Sequence, residues 1–126
     1  MTEKLGKILL VDDDEMFLSL VENYVKDTYE IITADSLKKA LEYVNIENKP
    51  DLILLDISTF DMNGWEMFNV FRSINFLDNT PIAFFTSNDN SDDIKHAMDI
   101  GAADYIIKPC DKTTLLKRIQ NIIGNF

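Results

Sequence analysis

Two apolar runs that each end in acid constrain the fold of this chain more than any other feature. Residues 7–11 are followed by four consecutive acids, 12–15, and residues 51–55 are followed by Asp56. Continuous apolar runs of this length are typical of strands covered on both faces, as in parallel sheets. Their carboxyl ends lie at the edge where open α/β sheets bind ligands. If the two strands are neighbours, the acids meet in one pocket, where a cation or a proton must offset their repulsion.

Apolar runs and helix-like segments alternate along the rest of the chain. Strands are predicted at about residues 7–11, 29–33, 51–56, 81–86 and 103–108, and helices at about 15–27, 36–47, 64–76, 91–100 and 112–123. Ser36 and Asp111 are the predicted N-caps of the second and fifth helices, and Gly101 and Gly124 follow the ends of the fourth and fifth. This order predicts one α/β domain over residues 1–126, with a doubly wound, five-stranded parallel sheet of flavodoxin-like order 2-1-3-4-5 and five helices.

Composition excludes several classes of function. A chain of 126 residues with 46% hydrophobic residues has the size and the core of a single domain. Its formal net charge of −10 argues against direct nucleic-acid binding, which needs clustered Lys and Arg. The only cysteine, Cys110, cannot form an internal disulfide, which fits a reducing cytoplasm. No stretch reaches the roughly 20 apolar residues of a membrane span, so we expect no membrane insertion.

The strand-end acids predict a metal pocket with a reactive carboxylate. In the predicted sheet order the first and third strands are adjacent, which brings Asp12, Asp13 and Asp56 together. Hard oxygen ligands suit Mg²⁺, which keeps several waters and takes few protein carboxylates. Asp14 and Glu15, by contrast, are explained as acids at a helix start.

Two further strand ends place a hydroxyl and an ammonium at the same edge. The fourth apolar run ends in Thr86, and the fifth ends in Lys108. Thr86 can donate to a phosphoryl oxygen, and Lys108 can offset clustered negative charge as a point cation. A Thr at a strand end or a Lys before Pro is common in loops. Together with the strand-end acids, however, Thr86 and Lys108 indicate a phosphoryl-binding site.

In order and spacing, this set of residues resembles the receiver domain of two-component response regulators over nearly the whole chain. The residues that carry the resemblance are Val11-Asp12-Asp13, Asp56 with Met62-Asn63-Gly64 after it, Thr86-Ser87, Tyr105 and Lys108-Pro109. The resemblance implies a signalling module, not an enzyme, that accepts a phosphoryl group from a histidine kinase or a histidine phosphotransfer protein.

The resemblance also implies a role for each residue of the site. Asp56 is the implied phosphoacceptor. Mg²⁺ is the implied cofactor, held by Asp12, Asp13, Asp56 and the backbone carbonyl of Ser58.

The resemblance assigns the remaining residues to a switch. Thr86 is the implied switch hydroxyl, Tyr105 the switch aromatic, and Lys108 the ion-pair partner of the aspartyl phosphate. A cis peptide is implied at Lys108–Pro109, since X–Pro bonds adopt cis at low cost.

By the same resemblance, the output surface comprises the fourth helix, fifth strand and fifth helix. It includes Lys95, Met98, Tyr105 and Lys112. The implied partner is a downstream protein target or an attached output domain, together with a homodimer that forms on phosphorylation.

The chain departs from the family pattern at two positions. Phe60 stands where proline is usual, so we expect the loop after Asp56 to be either more mobile or differently shaped. Cys110 stands where phenylalanine is common; packing is the favoured interpretation, and redox sensitivity is the alternative. Ser58 and Asn88, both small and neutral, lie at positions that tune phosphoryl lifetime in the family.

Several aromatic residues are interpreted as structural rather than functional. Trp65 is predicted to pack at a helix start, and His96 to lie on a surface helix without a catalytic role. Four phenylalanines are assigned mostly to the core: Phe17, Phe68, Phe71 and Phe76.

Three other functions compete with a phosphorylated switch. A phosphohydrolase of the haloacid-dehalogenase type also uses a strand-end aspartate with Mg²⁺, but it needs a second acid two residues on, where this chain has Ser58. A flavodoxin-like electron carrier needs a phosphate-binding loop after the first strand, which this chain does not have. A degenerate receiver that only binds partners is disfavoured by the intact acids, Thr86 and Lys108.

Overall fold

Five strands and five helices alternate along the residues that this computed structural model describes, 3–59 and 63–124. The strands are β1 (Lys7–Val11), β2 (Glu30–Ala34), β3 (Leu52–Leu55), β4 (Ile82–Thr86) and β5 (Tyr105–Ile107). The helices are α1 (Glu15–Val25), α2 (Leu37–Tyr43), α3 (Gly64–Arg72), α4 (Ser91–Asp99) and α5 (Lys112–Ile123), and a 3₁₀ turn at Asn75–Leu77 follows α3.

The strands form one parallel sheet of order β2-β1-β3-β4-β5, which confirms the predicted doubly wound topology. Val11, the last residue of β1, pairs with Ala34 of β2 and Leu55 of β3. Leu55 in turn pairs with Phe84 of β4, and Thr86 pairs with Ile107 of β5. This register brings the carboxyl ends of β1, β3, β4 and β5 to one edge of the sheet.

Helices cover both faces of the sheet, which explains why the strand sequences are apolar throughout instead of alternating. On one face, Leu9 and Leu55 pack with α2, α3 and α4 through residues such as Met67 and Ala97. On the other face, Leu10 and Leu54 pack with α1 and α5. The sheet is therefore buried between two apolar clusters, which fix where its strand ends lie.

The predicted element boundaries are close to the observed ones, with two notable differences. Helix α2 ends at Tyr43, four residues before the predicted end, because Val44 is extended and Asn45 starts a turn. The Asn45 side chain accepts from the Glu47 amide at 3.0 Å, a local bond that competes with a helix. Helix α3 ends at Arg72 and not at residue 76.

The predicted helix caps are confirmed. The side chain of Ser36 accepts from the Lys39 amide, and that of Asp111 accepts from the Thr114 amide. Gly101 and Gly124 follow α4 and α5 with φ of 96° and 102°, a conformation that favours glycine.

Within residues 3–59 and 63–124, no helix has both the length and the apolarity needed to cross a membrane.

Candidate functional site

Two buried carboxylates share one ammonium at the carboxyl edge of the sheet. Asp12 follows β1 and is 1% exposed, and Asp56 follows β3 and is 7% exposed. Lys108, which follows β5, places its Nζ 2.7 Å from Asp12 Oδ2 and 3.1 Å from Asp56 Oδ2. The structure therefore brings together three of the residues that the sequence predicted, from three different strands.

Burial and pairing act in opposite directions on this cluster. Burial raises the pKa of Asp12 above its ordinary value, against the hydrogen bond from Lys108. For Lys108, burial alone would lower the pKa, but the hydrogen bond and charge of Asp12, together with Asp56, outweigh it and raise the pKa. Lys108 is consequently held as an ammonium at neutral pH.

Backbone amides fix the second oxygen of each buried carboxylate. Asp12 Oδ1 accepts from the Asp14 amide at 2.9 Å, and Asp56 Oδ1 accepts from the Ser58 amide at 3.2 Å. Lys108 is held from its own backbone, since its amide donates to the Thr86 carbonyl at 2.8 Å. The Lys108–Pro109 peptide is cis, as expected. Asp13 is partly buried next to Asp12.

Thr86 and Tyr105 both contact the loop between β4 and α4. The Thr86 hydroxyl, 1% exposed at the end of β4, accepts from the Asn88 amide at 3.2 Å. The Tyr105 hydroxyl donates to the Asn88 carbonyl at 2.6 Å, and Tyr105 is only 6% exposed. Burial, with the charges of Asp93, Asp56 and Asp89, raises the pKa of Tyr105 to about 12. Asn88 thus connects the two predicted switch residues.

Helix α3 begins directly against the backbone of Asp56. The amide of Gly64 donates to the Ile57 carbonyl at 2.7 Å. A Cβ on Gly64 would lie 2.5 Å from the carbonyl oxygen of Asp56 and 2.6 Å from the Cα of Ile57. Only glycine permits this approach, so Gly64 sets the position of the Asp56 backbone.

The predicted output surface lies on α4, β5 and α5, with different exposure at each residue. Lys95 and Lys112 are exposed, and Met98 is 49% exposed. Tyr105, which the sequence placed on the same surface, points inward in this structure.

An ion pair between Arg118 and Asp104 adds to this surface and was not predicted. One Nη of Arg118 lies 3.0 Å and 3.1 Å from the two carboxylate oxygens of Asp104. The two residues are 14 positions apart, so no local sequence pattern indicated the contact.

The packing roles predicted for Trp65 and Cys110 agree with the structure, and the departure at Phe60 lies outside the described residues. Trp65 packs against Phe84 at 4.9 Å between ring centroids. Cys110 packs partly buried against the α1–α5 side of the core, and burial, followed by the charge of Asp111, raises the pKa of its thiol. A raised pKa lowers thiolate reactivity and favours packing over redox sensing.

Phe17 packs against the core as predicted, but it also makes a contact that the sequence did not predict. It is partly buried on the α1–α5 side of the core, and its ring centroid lies 3.9 Å from Lys108 Nζ. Phe68 and Phe71 are buried as predicted, and Phe76 is partly buried.

Comparison with known proteins decides the family. The family model described as the response regulator receiver domain matches residues 8–120. The chain belongs to the response regulator receiver domain family.

Named relatives agree with this assignment. The receiver domain is 32% identical over 120 residues to the transcriptional regulatory protein CrdR of Helicobacter pylori, covering 94% of this chain and 55% of CrdR. It is 33% identical over 118 residues to the alkaline phosphatase synthesis transcriptional regulatory protein PhoP of Bacillus subtilis, covering 93% of this chain and 48% of PhoP. The chain thus spans about half the length of these curated relatives.

Solved structures agree as well. The chemotaxis response regulator CheY4 of Vibrio cholerae superposes with a TM-score of 0.83 at 27% identity, covering 94% of this chain and 99% of CheY4. Receiver domains are signalling modules of two-component systems and not true enzymes, and they interact with histidine kinases and output domains. The family assignment sets aside the phosphohydrolase and electron-carrier alternatives.

Proposed function

We propose that residues 1–126 form one cytoplasmic receiver domain that accepts a phosphoryl group on Asp56 from a histidine kinase or a histidine phosphotransfer protein. The observation that carries the proposal is the buried pair of carboxylates, Asp12 and Asp56, bridged by the Lys108 ammonium. A buried carboxylate with an adjacent cation is a competent nucleophile toward phosphorus once the charge on the phosphoryl group is offset.

Asp56 acts as the nucleophile in the proposed reaction. One of its oxygens bonds to phosphorus while the N–P bond to the donor imidazole breaks, and the leaving nitrogen takes up a proton. Lys108 stays within reach of Asp56 and offsets the charge of the transferred group. Thr86, at the end of the neighbouring strand, supplies a hydroxyl donor to a phosphoryl oxygen.

The site fits Mg²⁺ by charge and by donor type. Asp12 and Asp56 bring two carboxylates against one ammonium, with Asp13 next to Asp12 in the chain, and hard oxygens are the ligands that Mg²⁺ prefers. In residues 3–59 and 63–124 no group of three or more His, Cys, Asp or Glu side chains is placed to hold a metal by itself. The proposed ligands are therefore these carboxylates supplemented by the Ser58 backbone carbonyl and water, with one oxygen of Asp12 shared with Lys108. The ion would offset phosphoryl charge.

Phosphorylation would be transmitted through Asn88. A phosphoryl group that attracts the Thr86 hydroxyl takes it away from the Asn88 amide, which donates to it in this structure. The carbonyl of Asn88 accepts from the Tyr105 hydroxyl, so a shift of Asn88 reaches Tyr105. We propose that this rearranges the surface of α4, β5 and α5, which includes Lys95, Met98 and Lys112. The surface would then bind a downstream target, an output domain or a second copy of the chain.

Incubation with acetyl phosphate and Mg²⁺, followed by mass measurement of the intact protein, tests the proposal. We expect the wild type to gain the mass of one phosphoryl group and Asp56→Asn to gain none. Asp51→Asn is the matched control. Asp51 precedes the amino end of β3, whereas Asp56 follows its carboxyl end, so we expect the Asp51→Asn protein to be labelled like the wild type.

A degenerate receiver that only binds partners would gain no mass under these conditions. Labelling that persists in Asp56→Asn would also contradict the proposal, since it would place the acceptor elsewhere.

A further inference from the structure

The ring of Phe17 is a third contact of the Lys108 ammonium, in addition to the two carboxylates. Lys108 Nζ lies 3.9 Å from the centroid of the ring, well within the distance at which a cation is attracted to an aromatic face. We infer that Phe17 is a positioning residue that holds Lys108 for the incoming phosphoryl group and so sets the rate at which Asp56 is phosphorylated. The inference rests on the proposed phosphorylation of Asp56.

A ring of four contacts, which joins Asp12, Asp14, Phe17 and Lys108, fixes Phe17 relative to the site. Asp12 accepts from the Asp14 amide at 2.9 Å, and the Asp14 side chain accepts from the Phe17 amide at 3.2 Å. The Phe17 ring contacts Lys108, and Lys108 returns to Asp12 at 2.7 Å. The first turn of α1 and the end of β5 are thereby joined through one ammonium.

The Phe17 ring also packs against the sheet, through Phe85 of β4. Phe17 meets Phe85 edge to face, with centroids 4.9 Å apart and planes at 81°. Phe85 immediately precedes Thr86 on β4. The ring is therefore held against the strand that carries the proposed switch hydroxyl.

Lys108 borders a cavity, so its side chain has room to move if the contact with Phe17 is lost. A cavity of about 330 Å³ adjoins the lysine and is lined by Phe17, Tyr24, Phe85 and Cys110, among others. A smaller, non-aromatic side chain at position 17 would enlarge this cavity and remove the attraction to the ring face. The Lys108 side chain would then gain conformations in which its ammonium is away from Asp56.

An aromatic ring is well suited to this task because it attracts the ammonium without adding a negative charge. A third carboxylate at this position would compete with the phosphoryl group for Lys108. The ring face orients the ammonium and leaves its charge for the aspartate and the phosphoryl group.

The sharpest test varies the electrostatics of the ring while nearly keeping its shape. Phenylalanines with one, three and five fluorines are introduced at position 17, and the initial rate of phosphorylation by acetyl phosphate is measured with Mg²⁺. Fluorine withdraws electron density from the ring face, so we expect the rate to fall stepwise across the series. Phe17→Leu should lose roughly threefold to tenfold, the range for a partly desolvated cation–π contact, and Phe17→Trp should restore most of the rate.

A second readout reports the geometry directly. The ε-methylene protons of Lys108 should show a ring-current shift by NMR that disappears in Phe17→Leu. Tyr24→Leu is the matched control, since Tyr24 lies on the same helix and lines the same cavity. It should keep both the shift and the rate.

Failure of the inference and failure of the proposed function give different results. If the wild type is phosphorylated but the rate is the same across the fluorinated series, the positioning role is overturned and the acceptor role stands. If the wild type gains no phosphoryl group at all, the proposed function fails and the inference fails with it.

Discussion

A single ammonium, that of Lys108, balances two buried carboxylates contributed by different strands. Removing one partner of such a cluster leaves the others uncompensated, so the three residues act as a unit. The sequence predicted Asp12, Asp56 and Lys108 as a group because each follows an apolar run at the same edge of the sheet. It could not predict the Phe17 contact, because an aromatic residue near a helix start also matches a core position. It also could not predict that Tyr105 points inward, because this depends on a backbone carbonyl in a distant loop.

The single substitution Tyr105→Phe tests the hydrogen bond from the Tyr105 hydroxyl to the Asn88 carbonyl. Loss of the hydroxyl should lower the free energy of unfolding by about 1 kcal/mol at neutral pH, measured by urea unfolding. The pKa of Tyr105 is raised from 10.0 to about 12. Its neutral form therefore stabilises the fold fully below pH 10, and this contribution is lost as the pH rises through about 12.

The wild type should consequently lose more stability between pH 10 and pH 12 than Tyr105→Phe does. Tyr43→Phe, at an exposed residue of α2, is the control and should follow the wild type. Identical pH dependence in the wild type and Tyr105→Phe would contradict the buried, hydrogen-bonded phenol.

Where each helix starts and ends determines how the site is presented. The start of α3 was predicted at residue 64 from the sequence, and Gly64 indeed begins the helix. That it touches the Asp56 backbone was not predictable, because the contact depends on how α3 packs against β3. The early end of α2 was missed for a different reason, since the apolar pattern continues to Val44 while Asn45 forms a local turn.

Gly64→Ala tests the contact between α3 and the acceptor. A Cβ at 2.5 Å from the Asp56 carbonyl forces a backbone shift, so we expect a loss of about 1–3 kcal/mol in stability and a clear drop in the phosphorylation rate.

Gly101→Ala is the matched comparison. Its Cβ would meet nothing within 4 Å, but its φ of +96° strains any other residue. It should lose about 1–2 kcal/mol in stability while keeping the phosphorylation rate. Equal rates in both variants would show that α3 does not set the position of Asp56.

For the molecule as a whole, the order of the strands was the most predictable property. Apolar runs such as residues 52–55, alternating with helix-like segments, favour a parallel sheet between two helix layers, and few topologies remain at this length. The net charge of −10 is also a property of the entire chain, and the two buried carboxylates, Asp12 and Asp56, lie at the carboxyl edge. The chemical environment of that edge, in contrast, depends on side-chain packing and required the structure.

Binding of Mg²⁺ at this edge should stabilise the entire fold. An ion that binds only the folded state raises stability by mass action, about 2.7 kcal/mol at 100 times its dissociation constant. We expect the thermal midpoint to rise when Mg²⁺ is added and to return when it is chelated. Asp13→Asn should weaken this response, and Asp99→Asn, at an exposed residue of α4, should keep it. A rise of equal size in all three proteins would contradict a site at Asp13.

The central claim is that Asp56 carries the phosphoryl group, and chemical mapping tests it most directly. Borohydride reduces an acyl phosphate to an alcohol, so a phosphorylated aspartate is recovered as homoserine. After treatment with acetyl phosphate and Mg²⁺, reduction and digestion, we predict homoserine at position 56, identified by peptide mass spectrometry. Homoserine at another acid, or none in protein that has gained a phosphoryl mass, would contradict the account.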